Sequence, residues 1–211
     1  MKQFTGLVVS LTLPVAYAFG GEAPMLKKMV DAGKLPPLEE RLPEKPLVEN
    51  PVTEIGKYGG KLVLGTAFFL DDERLPSRVD RNGFFQFSYP FPAEGPIKPN
   101  LAESWNWNSD GTKLTINMRK GIKWSDGKPF TTEDVIFFMD DIVNDKDVAY
   151  IWFYESNFYD AEGNFPKITK IDDHTLEFEY DATAFLFEKK YANVVWQALP
   201  KHHFKTWHPK Y

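Results

Sequence analysis

The chain has 211 residues, no cysteine, a formal charge of −5 and an aromatic complement of 18 Phe, 9 Tyr and 6 Trp. With 43% hydrophobic and 26% charged residues it is too apolar and aromatic for a disordered or fibrous protein, and long enough for one good core or two small ones. Thirty acids against 25 bases leave no cationic footprint for phosphate backbones or anionic lipid, which argues against nucleic-acid and membrane-surface partners. The missing cysteines exclude disulfide frameworks, thiol nucleophiles, cysteine-ligated zinc or iron–sulfur centres, and a lipoprotein anchor.

Lys2 precedes an apolar run from Phe4 to Val15, and Ala16-Tyr17-Ala18 supplies the small-x-small pattern of a signal-peptidase site. Residues 1–18 are therefore expected to be a cleavable signal. The run is too short to span a bilayer and no stop-transfer stretch follows it, so an exported mature chain outside the membrane is expected. Residues 19–60 read as a proline-rich leader strap. It holds a short amphipathic helix (Met25, Leu26, Met29, Val30) ended by Gly33, then Pro36, Pro37, Pro43, Pro46 and Pro51 on extended backbone.

Residues 61–100 are expected to give one strand, Lys61 to Thr66, and a long connection from Ala67 to Pro99. Residues 101–211 carry the sharper signals. Glu103 to Trp107 reads as a strand, Asn108 to Gly111 as a turn, and Thr112 to Arg119 as a strand with Leu114, Ile116 and Met118 on one face. A short strand, Ile122 to Trp124, and a Ser-Asp-Gly turn follow. Thr131 then caps a helix whose apolar positions Val135, Phe138, Met139 and Ile142 form one stripe. Lys167 to Ile171 and Thr175 to Tyr180 make a hairpin around Asp172-Asp173-His174, with Leu176, Phe178 and Tyr180 on one face, and a helix is expected from Ala184 to Tyr191.

Catalytic signatures are missing: there is no G-x-S-x-G elbow, no glycine-rich phosphate loop and no H-E-x-x-H. His202, His203 and His208 do not share a face at helix or strand spacing, so surface or cap roles are expected rather than metal ligation, and no cofactor is expected. Asp71-Asp72-Glu73 and Asp140-Asp141 lack the glycine of a calcium loop and are expected to be solvated acidic edges. Trp105 and Trp124 are expected to fill core. Trp152 and Tyr154 stand open between core filling and a stacking platform for ligand.

The block LAESWNWNSDGTKLTINMRKGIKWSDGKPFTTEDV, Leu101 to Val135, resembles the signature of the family 5 extracellular solute-binding proteins, which serve ABC importers. The upstream LPPLEERLPEKPLVENPVTEIGKYGGKLVLGT and the downstream KITKIDDHTLEFEY and LPKHHF resemble the strap, hairpin and PKH segments of that family, in the same order. The resemblance implies an α+β fold: the N-terminal part of a two-lobed, type II-like periplasmic binding protein, with the first strand of lobe I and an inserted subdomain of mixed sheet and helices. Members are much longer, so the rest of lobe I and all of lobe II are missing and the chain is expected to be a fragment.

The implied function is periplasmic binding of peptides or similar solutes for import, with permease subunits of the inner membrane as partners and no catalysis. The signature block is implied to be scaffold. Ligand contacts are then expected just after the first strand, at Thr66, Ala67, Phe68 and Phe69, where open sheets commonly hold ligands, with ordinary lobe core as the alternative role of each. The alternative is an exported carbohydrate-binding module or glycosidase accessory domain built on the aromatic residues. The signal reading makes a direct prediction: mass spectrometry of the exported protein gives Phe19 as its first residue, and any other start refutes cleavage after Ala18.

Overall fold

The computed structural model describes residues 22–49, 51, 53–61, 63, 83–87, 96–145, 147–148, 158–192 and 198–211. The chain divides into two compact units, Met1–Leu38 and Glu39–Tyr211. In the first, helix α1 (Pro24–Asp31) opens with proline at its first position, where the missing N–H costs nothing, and an exposed Lys27–Asp31 ion pair of 2.9 Å lies along it. Gly33 N–H donates to Val30 O and Lys34 N–H to Met29 O, the two crossed bonds of a Schellman cap. The expected helix is there, but none of its residues is buried. A single turn, α2 (Leu38–Arg41), marks the division.

The second unit is organised around four antiparallel strands: β3 (Ala102–Trp107), β4 (Lys113–Met118), β5 (Lys167–Asp172) and β6 (Thr175–Glu179), in the spatial order β3-β4-β6-β5. A two-stranded ribbon, β1 (Phe85–Phe87) with β2 (Ile97–Pro99), precedes them. That ribbon lies inside the stretch expected to be an irregular connection. Three-residue strands rich in phenylalanine and interrupted by prolines give too short an alternation to read. Of the strand expected at Lys61 to Thr66, Lys61 and Val63 are described and neither is in a strand; the other positions lie outside the described residues.

Register turns alternation into a core face. Trp107 lies opposite Leu114, Leu114 opposite Phe178 and Phe178 opposite Ile168, while Trp105, Ile116 and Leu176 form the next row. Leu114, Ile116, Leu176 and Phe178 are wholly buried, and Trp105, Trp107 and Ile168 are partly buried against them. On the opposite face Lys113 sits between Glu179 at 2.9 Å and Glu177 at 3.4 Å, so the sheet is apolar on one side and charged on the other. Phe84, Phe85, Phe187 and Tyr191 close the apolar side, with the Phe187 and Tyr191 rings stacked at 4.5 Å.

Two glycines are demanded by close packing. Gly111 ends the β3–β4 turn at φ +71°, and a β-carbon there would lie 2.6 Å from the Phe185 ring. Gly121 has φ +82°, and its β-carbon would lie 2.9 Å from Glu44 N. The expected strand Ile122 to Trp124 is reduced to one bridge, Lys123 with Pro129. Proline at the partner position offers no N–H to extend the ladder.

Helix α3 (Thr132–Ile136) runs directly into a π-helical segment, Phe137–Val143, in which Asn144 N–H reaches back five residues to Met139 O. The expected stripe of Val135, Phe138 and Met139 is buried, but so are Phe137, Asp141 and Val143. The π-segment departs from the 3.6-residue period on which that stripe rests. Helix α4 (Phe187–Tyr191) starts three residues later than expected, after a turn in which Phe187 N–H donates to Ala184 O. Helix α5 (Lys201–Phe204) comes close to the chain's end. Trimming the central row should be costly: Ile116→Ala is expected to lower stability by about 2–5 kcal/mol in urea denaturation, through lost burial plus a residual cavity.

Candidate functional site

Asp134 is the third residue of α3, and its carboxylate accepts from three segments. Oδ2 takes Thr131 N–H at 2.9 Å and the Trp124 indole N–H at 3.1 Å; Oδ1 takes Lys201 N–H at 2.9 Å. Its backbone oxygen accepts Leu199 N–H at 3.3 Å. The start of α3 also receives the β5–β6 hairpin, since Thr132 N–H and hydroxyl donate to Asp173 O and Asp172 O.

Along this junction runs an open groove of about 310 Å³, lined by Lys128, Pro129, Thr131, Glu133, Asp134, Lys201, His202 and Lys205. Glu133 bridges Lys201 at 2.8 Å and Lys170 at 3.1 Å, and those two ammonium groups hold its carboxyl below the usual carboxylate range. His202 Nε2 lies 2.7 Å from Asp126 Oδ2. Glu133, Lys201 and His202 thus each face an opposite partner within the fold.

A second cluster lies where the expectations differ from the structure. Asp141 is buried, not a solvated edge. Burial alone would raise its pKa, but Lys210 Nζ at 2.5 Å and the Tyr211 hydroxyl at 2.7 Å more than offset this and hold it below the usual range. His208, expected at the surface or as a cap, is also buried. Its Nε2 lies 2.6 Å from Asp141 O, its Nδ1 accepts Lys210 N–H at 3.2 Å, and its ring lies against Phe137 and Tyr211. The wider π-segment presents Phe137 and Asp141 to the C-terminal turn, a contact that no local pattern announces.

The aromatic residues divide in the same structural sense. Trp105 meets Phe85 edge-on at 4.7 Å and Trp124 meets Phe130 at 5.3 Å, both half-buried against the core, as expected. Their indole N–H groups, and that of Trp107, are held by carboxylates: Trp105 and Trp107 both donate to Glu188 Oε1, at 3.0 and 2.5 Å. Glu188 was missed because only its position in the first turn of α4, within reach of two β3 indoles, gives it this role. The Tyr180 hydroxyl is buried without a hydrogen-bond partner among the described residues, and burial pushes its pKa up.

The residues expected to touch ligand, Thr66, Ala67, Phe68, Phe69, Trp152 and Tyr154, all lie outside the described residues. Among the described residues no group of three or more His, Asp or Glu side chains is placed to hold a metal ion. The Asp160 loop illustrates why: both carboxylate oxygens are taken by donors, the Glu162, Asn164 and Ala182 amides and the Asn164 side chain. Within the described residues, carboxylates collect N–H donors from separate segments and hold those segments together. No helix of the described residues is long and apolar enough to cross a membrane.

Comparison with known proteins gives this scaffold its context. Residues 96–210 match the family model for bacterial extracellular solute-binding proteins, family 5, middle region. The periplasmic alpha-galactoside-binding protein of Rhizobium meliloti (strain 1021) is 34% identical over 206 residues, which cover 88% of this chain and 29% of that protein. The periplasmic oligopeptide-binding protein OppA of Escherichia coli (strain K12) is 30% identical over 118 residues, 51% of this chain and 22% of the relative.

Among solved structures, an oligopeptide-binding protein OppA superposes with a TM-score of 0.75 at 34% identity, covering 90% of this chain and 29% of that one. The periplasmic binding protein MelB from Agrobacterium fabrum C58, solved with stachyose, gives 0.60 at 29% identity over 89% of this chain and 30% of its own. The chain thus spans less than a third of the length of these relatives.

The buried Asp141 cluster makes the acid limb of stability testable. A carboxylate with a depressed folded pKa contributes stability that is present above its unfolded pKa, about 3.9, and is lost as pH falls through the folded value. Asp141→Asn should therefore lower the Tm at pH 7 and reduce the further drop in Tm between pH 5 and pH 2, both read by circular dichroism.

Proposed function

The chain belongs to the family 5 bacterial extracellular solute-binding proteins, and we propose that it supplies the N-terminal portion of a periplasmic subunit that captures solute for an ABC importer. The observation that carries this reading is the family match across residues 96–210, which takes in the whole four-stranded sheet, the capped start of α3 and nearly all of the C-terminal turn. In this reading residues 1–18 are the export signal, 19–60 the strap, 61–100 the first strand and connection of lobe I, and 101–211 the inserted subdomain. The subdomain acts as scaffold and the reaction is binding and release, with no chemical step.

The ligand would lie against Thr66, Ala67, Phe68 and Phe69, with Trp152 and Tyr154 as further contacts, and be enclosed by a second lobe. An extended peptide suits such a cleft: its backbone groups pair with lobe edges while roomy pockets accept varied side chains, and hinge closure presents both lobes to the permease. Peptide is the first ligand class on the strength of the 34% identical oligopeptide-binding structure. An α-galactoside oligosaccharide is the second. It is favoured by the 206-residue match to the alpha-galactoside-binding protein, which extends through nearly the whole chain instead of only its middle. Family membership disfavours a free-standing carbohydrate-binding module.

Exposed Ile55, Tyr58, Val63 and Trp207 fit a scaffold that is covered by further protein in the assembled subunit. In-frame deletion of the coding region from its host should abolish uptake of labelled oligopeptide, or of labelled stachyose on the second reading. Unchanged uptake of both would overturn the proposal.

A further inference from the structure

Residues 40–49 leave the last turn of α2 and continue along the second unit as irregular backbone with prolines at 43 and 46, and no residue in it is buried. It is nevertheless held at both ends and in the middle. Lys123 Nζ donates to Glu40 O. Glu44 N–H donates to Lys120 O at 3.0 Å, and the Arg119 guanidinium donates from Nη1 to Lys45 O at 2.5 Å and from Nε to Asn100 O at 3.2 Å. Lys45 Nζ lies 3.0 Å from Glu103. Beyond it, Glu49 accepts from Gln86 at 2.5 Å and faces Lys98 at 3.9 Å, on the β1–β2 ribbon.

Gly121 completes the seat, because any side chain there would meet Glu44 N and Pro43 Cα. One segment therefore ties the end of β4 to the two-stranded ribbon.

These attachments differ in kind from those of the sheet. They are mostly hydrogen bonds and exposed ion pairs, with Leu42, Pro43 and Pro46 half-buried and no apolar side chain of the segment fully buried, the class of contact that opens locally at a small fraction of global stability. Arg119 is the exception: it is itself buried, and its rigid planar fork reaches two carbonyls from separate nitrogens, one on the segment and one at Asn100, a geometry that a single ammonium on a flexible stem does not hold. The prolines limit the conformations that the free segment can explore, so that it returns to the seat nearly preformed.

We propose that residues 40–49 are a detachable latch, an intramolecular peptide ligand for the seat formed by Arg119, Lys120 and Gly121. The latch leaves and returns as a unit while the four-stranded sheet stays folded, and its release frees the guanidinium and loosens a link between the two sheets.

Hydrogen exchange on the full chain tests this. The Glu44 amide, bonded only across the latch, should exchange at least about tenfold faster than the amides of Ile116 and Phe178 in the sheet. Pro43→Gly with Pro46→Gly alters the latch alone and widens its free ensemble, and should speed Glu44 exchange by a further factor of about ten while Ile116 and Phe178 keep their rates. Arg119→Lys should do the same by removing the fork. Equal exchange of Glu44 and the sheet amides in the unaltered chain would overturn the latch, because the segment would then open only on global unfolding. So would a Glu44 rate unchanged in the proline variant.

Discussion

One carboxylate sets the geometry of the subdomain. Asp134 stands where the Ser-Asp-Gly turn, the start of α3 and the segment entering α5 converge, and it accepts an N–H from each. A helix start leaves N–H groups without internal partners, and burying them unpaired is expensive. Here the same buried anion satisfies the cap, anchors an indole and captures the returning chain. The hairpin tip supplies the carbonyls that the next donor needs. The segment after β4, the start of α3 and the start of α5 thus meet at one carboxylate beside the apolar core.

The same device recurs. Glu188 gathers two tryptophan N–H groups, Asp160 gathers the amides of its own loop together with Ala182, and Asp141 gathers Lys210 and Tyr211. A small subdomain with five- and six-residue strands reaches adequate apolar area by using large aromatics, and indole or phenol groups then bring polar atoms to the core's edge. Carboxylates at that edge resolve the conflict. The Tyr180 hydroxyl is the place where it is left unresolved among the described residues. The acidic bias noted from composition has, in part, this internal use.

Local pattern carried the sheet. Alternation at Leu114, Ile116, Met118, Leu176 and Phe178 is a period-two signal tied to one buried face, and the structure follows it residue by residue. Turn chemistry at Asn108 to Gly111 and the cap at Thr131 were legible for the same reason: each is decided by neighbours in sequence. What was not legible depends on distant partners. Phe137, Asp141 and His208 are buried only because the π-segment faces the last residues of the chain, and Glu188 matters only because α4 lies against β3. The residues proposed for ligand contact were reached by family resemblance and fold position, not by any pattern of their own. The prolines between 36 and 51 pointed to extended backbone, yet a helical turn forms at Leu38–Arg41 where no proline stands, and nothing local foretells that Arg119 receives the segment beyond it.

Strand order also bears on how the chain reaches this structure. β3 with β4 and β5 with β6 are neighbours in sequence, so each pair closes a short loop and can form within microseconds. β4 and β6, the central pair, are separated by the whole of α3, the π-segment and the Asp160 loop, and their pairing must close a far longer loop before any burial rewards it. The barrier to folding is then the meeting of two preformed ribbons, with Leu114 finding Phe178 and Ile116 finding Leu176. Until that meeting the apolar faces of both ribbons remain open to solvent, and the chain is held in an uncommitted state by topology alone.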